Sequence, residues 1–96
     1  MWSFTSSVVS GAPAERGVYA LFDGPELIYI GRADGLGVTI RSRLQSHLRG
    51  DEGRCTQQAT QYTWEVCPAP SLREAELLAE YRAQTGSLPR CNQRVG

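Results

Sequence analysis

Gly17-Val18-Tyr19-Ala20-Leu21-Phe22-Asp23-Gly24-Pro25-Glu26-Leu27-Ile28-Tyr29-Ile30-Gly31 is the stretch that decides the fold. Two apolar runs, 17–22 and 26–31, bracket the turn-forming Asp23-Gly24-Pro25, which is the pattern of a β-hairpin. With Gly24 as the pivot, Tyr19 and Tyr29 stand directly opposite each other. Side chains alternate along a strand, so an opposed pair shares one face. Val18, Ala20, Phe22, Ile28 and Ile30 then make one face, and Tyr19, Leu21, Leu27 and Tyr29 the other. A sheet that is apolar on both sides expects cover on both.

Upstream, Ser7-Val8-Val9 and Ser10-Gly11-Ala12-Pro13 read as a lead-in strand or turn. Downstream, residues 32–38 form a loop carrying Gly35 and Gly37. Thr39 is placed to cap a helix that runs through Leu48 and ends at Gly50. Ile40, Leu44 and Leu48 recur every four residues and make a buried stripe. Arg43 and His47, also four apart, share one flank beside it. Residues 51–60 are polar and read as a loop. Tyr62, Trp64 and Val66 alternate with Thr63, Glu65 and Cys67, the signature of a half-buried strand that Pro68 and Pro70 stop. Ser71 then caps a second helix to Thr85, with Leu72, Ala75, Leu78 and Ala79 as its buried face and Gly86 at its end. The predicted class is α+β: a small three-stranded, largely antiparallel sheet flanked by helices, in the order β-β-α-β-α, as one domain over residues 1–96.

The 96 residues and 41% hydrophobic content suit one domain with a modest core. Ten arginines, no lysine and ten acids give a net charge of zero, which excludes a general basic coat for nucleic acid. The charge is uneven, however. Between Gly31 and Gly50 stand Arg32, Arg41, Arg43, Arg49 and His47 against Asp34 alone. Cys55, Cys67 and Cys91 show no C-x-x-C spacing, and the odd count without a secretory pattern at Met1-Trp2-Ser3-Phe4 predicts reduced thiols in a cytoplasmic setting. No segment has the apolar length of a membrane span.

These residues resemble the GIY-YIG nuclease family. Gly17-Val18-Tyr19 and Tyr29-Ile30-Gly31 match its two signatures at the usual spacing, and Arg32 follows where the family has a Lys or Arg. Ile40-x-x-Arg43-Leu44-x-x-His47 resembles the helical arginine followed by Tyr or His four residues on. Glu74-x-x-Leu77-Leu78-x-x-Tyr81 resembles the acidic helix, and Asn92 the terminal asparagine. Together the motifs cover about residues 15–93, in the family's order. The loop from Arg32 to Arg43 and the stretch from Tyr81 to Asn92 are longer than in the family's short members.

The resemblance implies a metal-dependent endonuclease that cuts or nicks DNA. It implies one divalent ion, Mg²⁺ or Mn²⁺, held by Glu74 and waters, which suits oxygen donors. Arg43 would offer a planar fork to phosphate oxygens, with Arg32 as a second cation. Tyr19 or Tyr29 would be the general base, Tyr19 being preferred and Tyr29 positioning, while His47 orients a hydroxyl or relays its proton. A free phenol has a pKa near 10, so such a base needs about 4 kcal/mol of help from nearby cations. Arg32, Arg41 and Asn92 are the substrate-binding candidates, although a solvated helix face is the better reading for Arg41 and Arg49 taken alone.

Competing roles stay open. The tyrosine pair also suits cross-strand packing. Ser71-Leu72-Arg73-Glu74 is also a capping-box pattern, which would turn Glu74 back on Ser71. Glu76 and Glu80 are then the fallback ligands. A non-catalytic module that grips nucleic acid or nucleotides is the alternative function. Neutral net charge implies weak non-specific DNA affinity, so specificity is expected from DNA structure, a partner protein or a homodimer, with no membrane involved.

Overall fold

The computed structural model describes residues 1–93, so the last three residues of the expected 1–96 domain lie outside the described residues. The elements are β1 (Trp2–Ser3), α1 (Ser6–Val9), β2 (Gly17–Asp23), β3 (Glu26–Ala33), α2 (Ile40–Leu48), α3 (Arg54–Gln57), β4 (Gln61–Val66) and α4 (Pro70–Thr85). The class is α+β, as the sequence predicts. The sheet has four antiparallel strands in the order β1-β4-β2-β3, rather than three. The extra strand pairs only Trp2 with Tyr62 and Ser3 with Gln61. Two residues are too few to show an alternation.

The hairpin forms around Gly24, which adopts φ 57°, the positive sign that a primed two-residue turn needs at its first central position. The register differs from the expected one. Tyr19 pairs with Gly31 and Leu21 with Tyr29, and the ladder then shifts so that Phe22 pairs with Leu27. Ile28 is the extra residue of this irregularity, and an inserted residue inverts the alternation beyond it. Ile28 therefore joins the core with Tyr19, Leu21 and Tyr29. Leu27 instead shares the opposite face with Val18, Ala20 and Ile30, beneath Leu77 of α4. The two tyrosines are diagonal neighbours on one face, not an opposed pair.

Gly31 explains why the register is held. A Cβ there would lie 2.6 Å from the Tyr19 hydroxyl and 2.6 Å from Tyr29 Cε2. Both rings lean across that bare backbone. Gly17 plays the same part toward its other neighbours, since a Cβ on it would strike the Glu65 carbonyl and Ile40.

Helix α2 starts as predicted. Thr39 Oγ1 accepts from the Ser42 N–H at 3.0 Å, and Ser42 Oγ accepts from the Thr39 N–H at 2.9 Å, a reciprocal cap. Ile40 and Leu44 are fully buried against the Tyr19 face of the sheet, with α1 beside them. The opposite face is covered by α4, which begins at Pro70 with Ala69 as its N-cap. Proline at the first helical position sacrifices an N–H that has no helical partner anyway. Ser71 thus lies inside the helix, and the expected cap at Ser71 does not form. The helix is also rotated from its expected orientation. Leu72 is 65% exposed, and Ala75 and Ala79 face solvent. Pro70, Glu74, Leu77, Leu78 and Tyr81 form the inward stripe instead.

Cys55 and Cys91 form a disulfide, 36 residues apart, which overturns the expectation of reduced thiols for this pair. Their spacing in sequence carries no signal because the tail returns from α4 to meet α3. Cys67 is a free thiol. The returning tail also covers the free edge of β3. The Cys91 N–H donates to the Ile28 carbonyl at 2.9 Å. Asn92 Oδ1 accepts from the Ile30 N–H, and its Nδ2 donates to the Ile30 carbonyl, each at 2.9 Å. Among the described residues no helix is long and apolar enough to cross a membrane.

Candidate active site

Four parts of the chain meet at the free edge of β3. A cleft of about 460 Å³ is lined by Tyr29 and Arg32 of β3, Asp34 and Val38 of the following loop, Arg43 of α2, Glu74 and Leu78 of α4, and Asn92 of the tail. Helices α2 and α4 pack on opposite faces of the sheet, yet both contribute because β3 is its last strand. The carboxylate of α4 therefore reaches the cleft that the phenol of Tyr29 faces. A second cleft of about 500 Å³ lies on the other side of Tyr29, lined by His47, Glu52, Thr56, Cys55 and Cys91 among others.

Behind Tyr29 is a closed polar chain. The Tyr19 hydroxyl is 2.8 Å from His47 Nε2, and His47 Nδ1 is 2.8 Å from Thr56 Oγ1. Tyr19 is 2% and His47 1% exposed. The His47 ring centre is 5.0 Å from that of Tyr29 and 5.5 Å from that of Tyr19. Burial, reinforced by the neighbouring Arg43 guanidinium, pushes the His47 pKa down to about 4, so the imidazole is neutral at pH 7. Burial, and then the Tyr29 phenol, push the Tyr19 phenol well above its ordinary range, with Arg43 opposing. That is opposite to the activation expected of a tyrosine base. Tyr29 opens onto both clefts, and its hydroxyl makes no hydrogen bond among the described residues.

Both cleft arginines already have anionic partners. Arg32 Nη1 lies 2.7 Å from Glu74 Oε1, the two side chains being 48% and 18% exposed. Arg43 Nη2 lies 3.0 Å from Glu52 Oε1. That guanidinium, through its hydrogen bond and charge, holds the Glu52 carboxyl below the usual range, aided by the Ser46 hydroxyl. Asn92 lines the cleft, but both ends of its amide are spent on the Ile30 backbone, so it fastens the wall. Arg41, a substrate-binding candidate, is not at the cleft. Its Nε donates to the Ala12 carbonyl at 2.8 Å, which ties α2 to the segment after α1. Glu76 pairs with Arg73 at 3.6 Å on the exposed side of α4, and Glu80 is exposed too, so neither replaces Glu74.

Asp34, Glu52 and Thr56 are site residues that the sequence reading did not single out. Glu52 and Thr56 fall in the polar stretch 51–60, where α3 is a single turn with no periodicity to read. The cleft offers oxygen donors only: the carboxylates of Glu74 and Asp34 and the Tyr29 hydroxyl. Among the described residues no three His, Cys, Asp or Glu side chains form a metal cluster. A hard divalent ion that keeps most of its waters and takes one carboxylate fits this donor set, whereas a closed zinc cage does not.

Comparison with solved structures identifies the architecture. The chain is similar to the GIY-YIG N-terminal endonuclease domain of UvrC from Thermotoga maritima bound to magnesium, its catalytic divalent cation. That match has 27% identity and a TM-score of 0.66, over 88% of this chain and 91% of the other. Two point mutants of the same domain, each bound to its catalytic divalent cation, match over 90% of this chain and 91% of theirs. The Tyr-to-Phe mutant gives 28% identity and a TM-score of 0.66. The Asn-to-Ala mutant gives 27% identity and 0.67. No family model and no curated protein matches the sequence. The chain has the fold of these GIY-YIG endonuclease domains.

Proposed function

We propose that this chain is a divalent-metal-dependent endonuclease that hydrolyses DNA phosphodiester bonds in the cleft at the β3 edge. The observation that carries the reading is the convergence of Tyr29, Arg32, Arg43 and Glu74, from three separate elements, on one cleft. Its support from outside is the shared fold of nuclease domains crystallised with their catalytic cation.

Glu74 would hold Mg²⁺ or Mn²⁺. When bound, the ion supplies charge neutralisation for the phosphate and the leaving oxygen. Arg43 presents a permanently charged, planar fork to phosphate oxygens from the wall of the same cleft, and Arg32 adds a second cation. Tyr29 is the hydroxyl that faces the cleft, and it orients and deprotonates the attacking water. Tyr19 and His47 support it. A Tyr19 hydroxyl that donates to Nε2 leaves the ring proton on Nδ1, donated to Thr56. The buried chain then fixes the two rings against which Tyr29 packs. Tyr19, the base that the resemblance favours, is instead buried with its hydroxyl 2.8 Å from His47 Nε2. Neutral net charge leaves DNA selection to DNA structure, dimerisation or a partner protein.

Nicking of supercoiled plasmid in Mg²⁺ or Mn²⁺, by wild type beside Glu74→Ala, tests the reading. Activity should appear in the wild type and fall at least a hundredfold in the variant, about 3 kcal/mol of barrier. Equal rates in both, or no cleavage by either, count against it. The ion pair that occupies Glu74 favours a rival reading, a non-catalytic DNA-binding module. Filter binding in EDTA that survives Glu74→Ala but weakens in Arg43→Ala, alongside an inert wild type, would establish that module instead.

A further inference from the structure

We propose that Arg32 is a latch on Glu74, so that a divalent ion and a DNA phosphate enter this cleft cooperatively rather than independently. The inference rests on the reading of Glu74 as the metal-holding carboxylate. Of the two arginines in the cleft, Arg32 alone is seated on that carboxylate, at 2.7 Å. Arg43 has its own partner, Glu52, at 3.0 Å. An ion that approaches Glu74 in the absence of DNA meets a guanidinium already there, and the two cations repel. Part of the ion's binding free energy is then spent on breaking the pair. A phosphate in the cleft changes this, because it offers Arg32 a second set of anionic oxygens. The Arg32 side chain is 48% exposed, which leaves it free to swing. Moving it from Glu74 to phosphate vacates the carboxylate for the metal. Each ligand thereby lowers the cost of the other, and linkage makes the coupling reciprocal. The consequence is a metal affinity that rises severalfold when DNA arrives.

Mn²⁺ alone is the probe, titrated into the full chain without DNA and followed by electron paramagnetic resonance of the free ion. Arg32→Gln should bind Mn²⁺ about two- to fivefold more tightly than wild type, the range of a partly exposed ion pair. Arg32→Lys, which keeps the charge, should restore weak binding. Arg43→Gln should change the affinity less than twofold, which separates a latch from the mere removal of a positive charge. Anisotropy of a labelled DNA duplex in Ca²⁺ and in EDTA gives the coupling factor directly, and Arg32→Gln should shrink it. Mn²⁺ affinity that is unchanged or weaker in Arg32→Gln, or raised equally in Arg43→Gln, would overturn the latch. Mn²⁺ binding that is undiminished in Glu74→Gln would instead overturn the metal-holding role of Glu74, and the latch with it.

Discussion

His47 shows how a single residue can be legible in type and not in state. Its spacing from Arg43 places it on the flank of α2, but only the fold shows that it is 1% exposed and bonded at both nitrogens. Because burial and Arg43 bring its pKa down to about 4, the folded chain resists a proton that the unfolded chain accepts near its ordinary value of 6.5. Stability contributed by the neutral ring is therefore fully present above pH 6.5 and is lost as the pH falls from 6.5 toward 4. The whole difference is at most about 3 kcal/mol. Urea unfolding at pH 7 and pH 4.5 should show most of that loss in the wild type and little of it in His47→Gln. An imidazole that titrates above pH 6 by NMR would contradict the buried, neutral ring. The motif glycines were legible as pattern but not as cause. Only the coordinates show two phenol rings lying over Gly31.

At the scale of elements, the long, periodic ones were readable. The hairpin, α2 with its Thr39 cap, β4 and α4 all occur within a residue or two of their predicted ends. Four features were hidden for physical reasons. Strand β1 and helix α3 are shorter than the period that would reveal them. The shift at Ile28 leaves the composition of the hairpin untouched while exchanging its neighbours between faces. Helix α4 buries little beyond Pro70, so its leucine spacing misleads about which side faces the sheet. The same rotation turns Glu74 toward Arg32 and the cleft. The disulfide between α3 and the tail joins two elements that matter to the site. Cys55 precedes Thr56, which bonds His47, and Cys91 precedes Asn92, which fastens β3. Closing this loop across a separation of 36 residues restricts the unfolded chain by about 3–4 kcal/mol. A dithiol reductant, or the Cys55→Ser/Cys91→Ser pair, should lower the unfolding free energy by that order in denaturant titrations. Loss of less than about 1 kcal/mol would show that the crosslink adds nothing to the packing around it.

The whole molecule has no net charge, and half of its arginines are matched by its own acids among the described residues. Arg32, Arg43, Arg73 and Arg90 all pair with carboxylates, and Arg90 holds both Asp23 and Glu26. Such a surface does not hold DNA through bulk charge. In the function proposed above, cleavage would depend on the local cleft at the last strand of the sheet, which Tyr29, Arg43 and Glu74 line. A crystal grown with Mn²⁺ and measured at the manganese absorption edge tests this most directly. The account predicts one anomalous peak beside the Glu74 carboxylate, within the cleft that Tyr29 and Arg43 line, with water filling the other positions. A peak elsewhere on the chain, with Glu74 still clasped by Arg32 at saturating Mn²⁺, would contradict it.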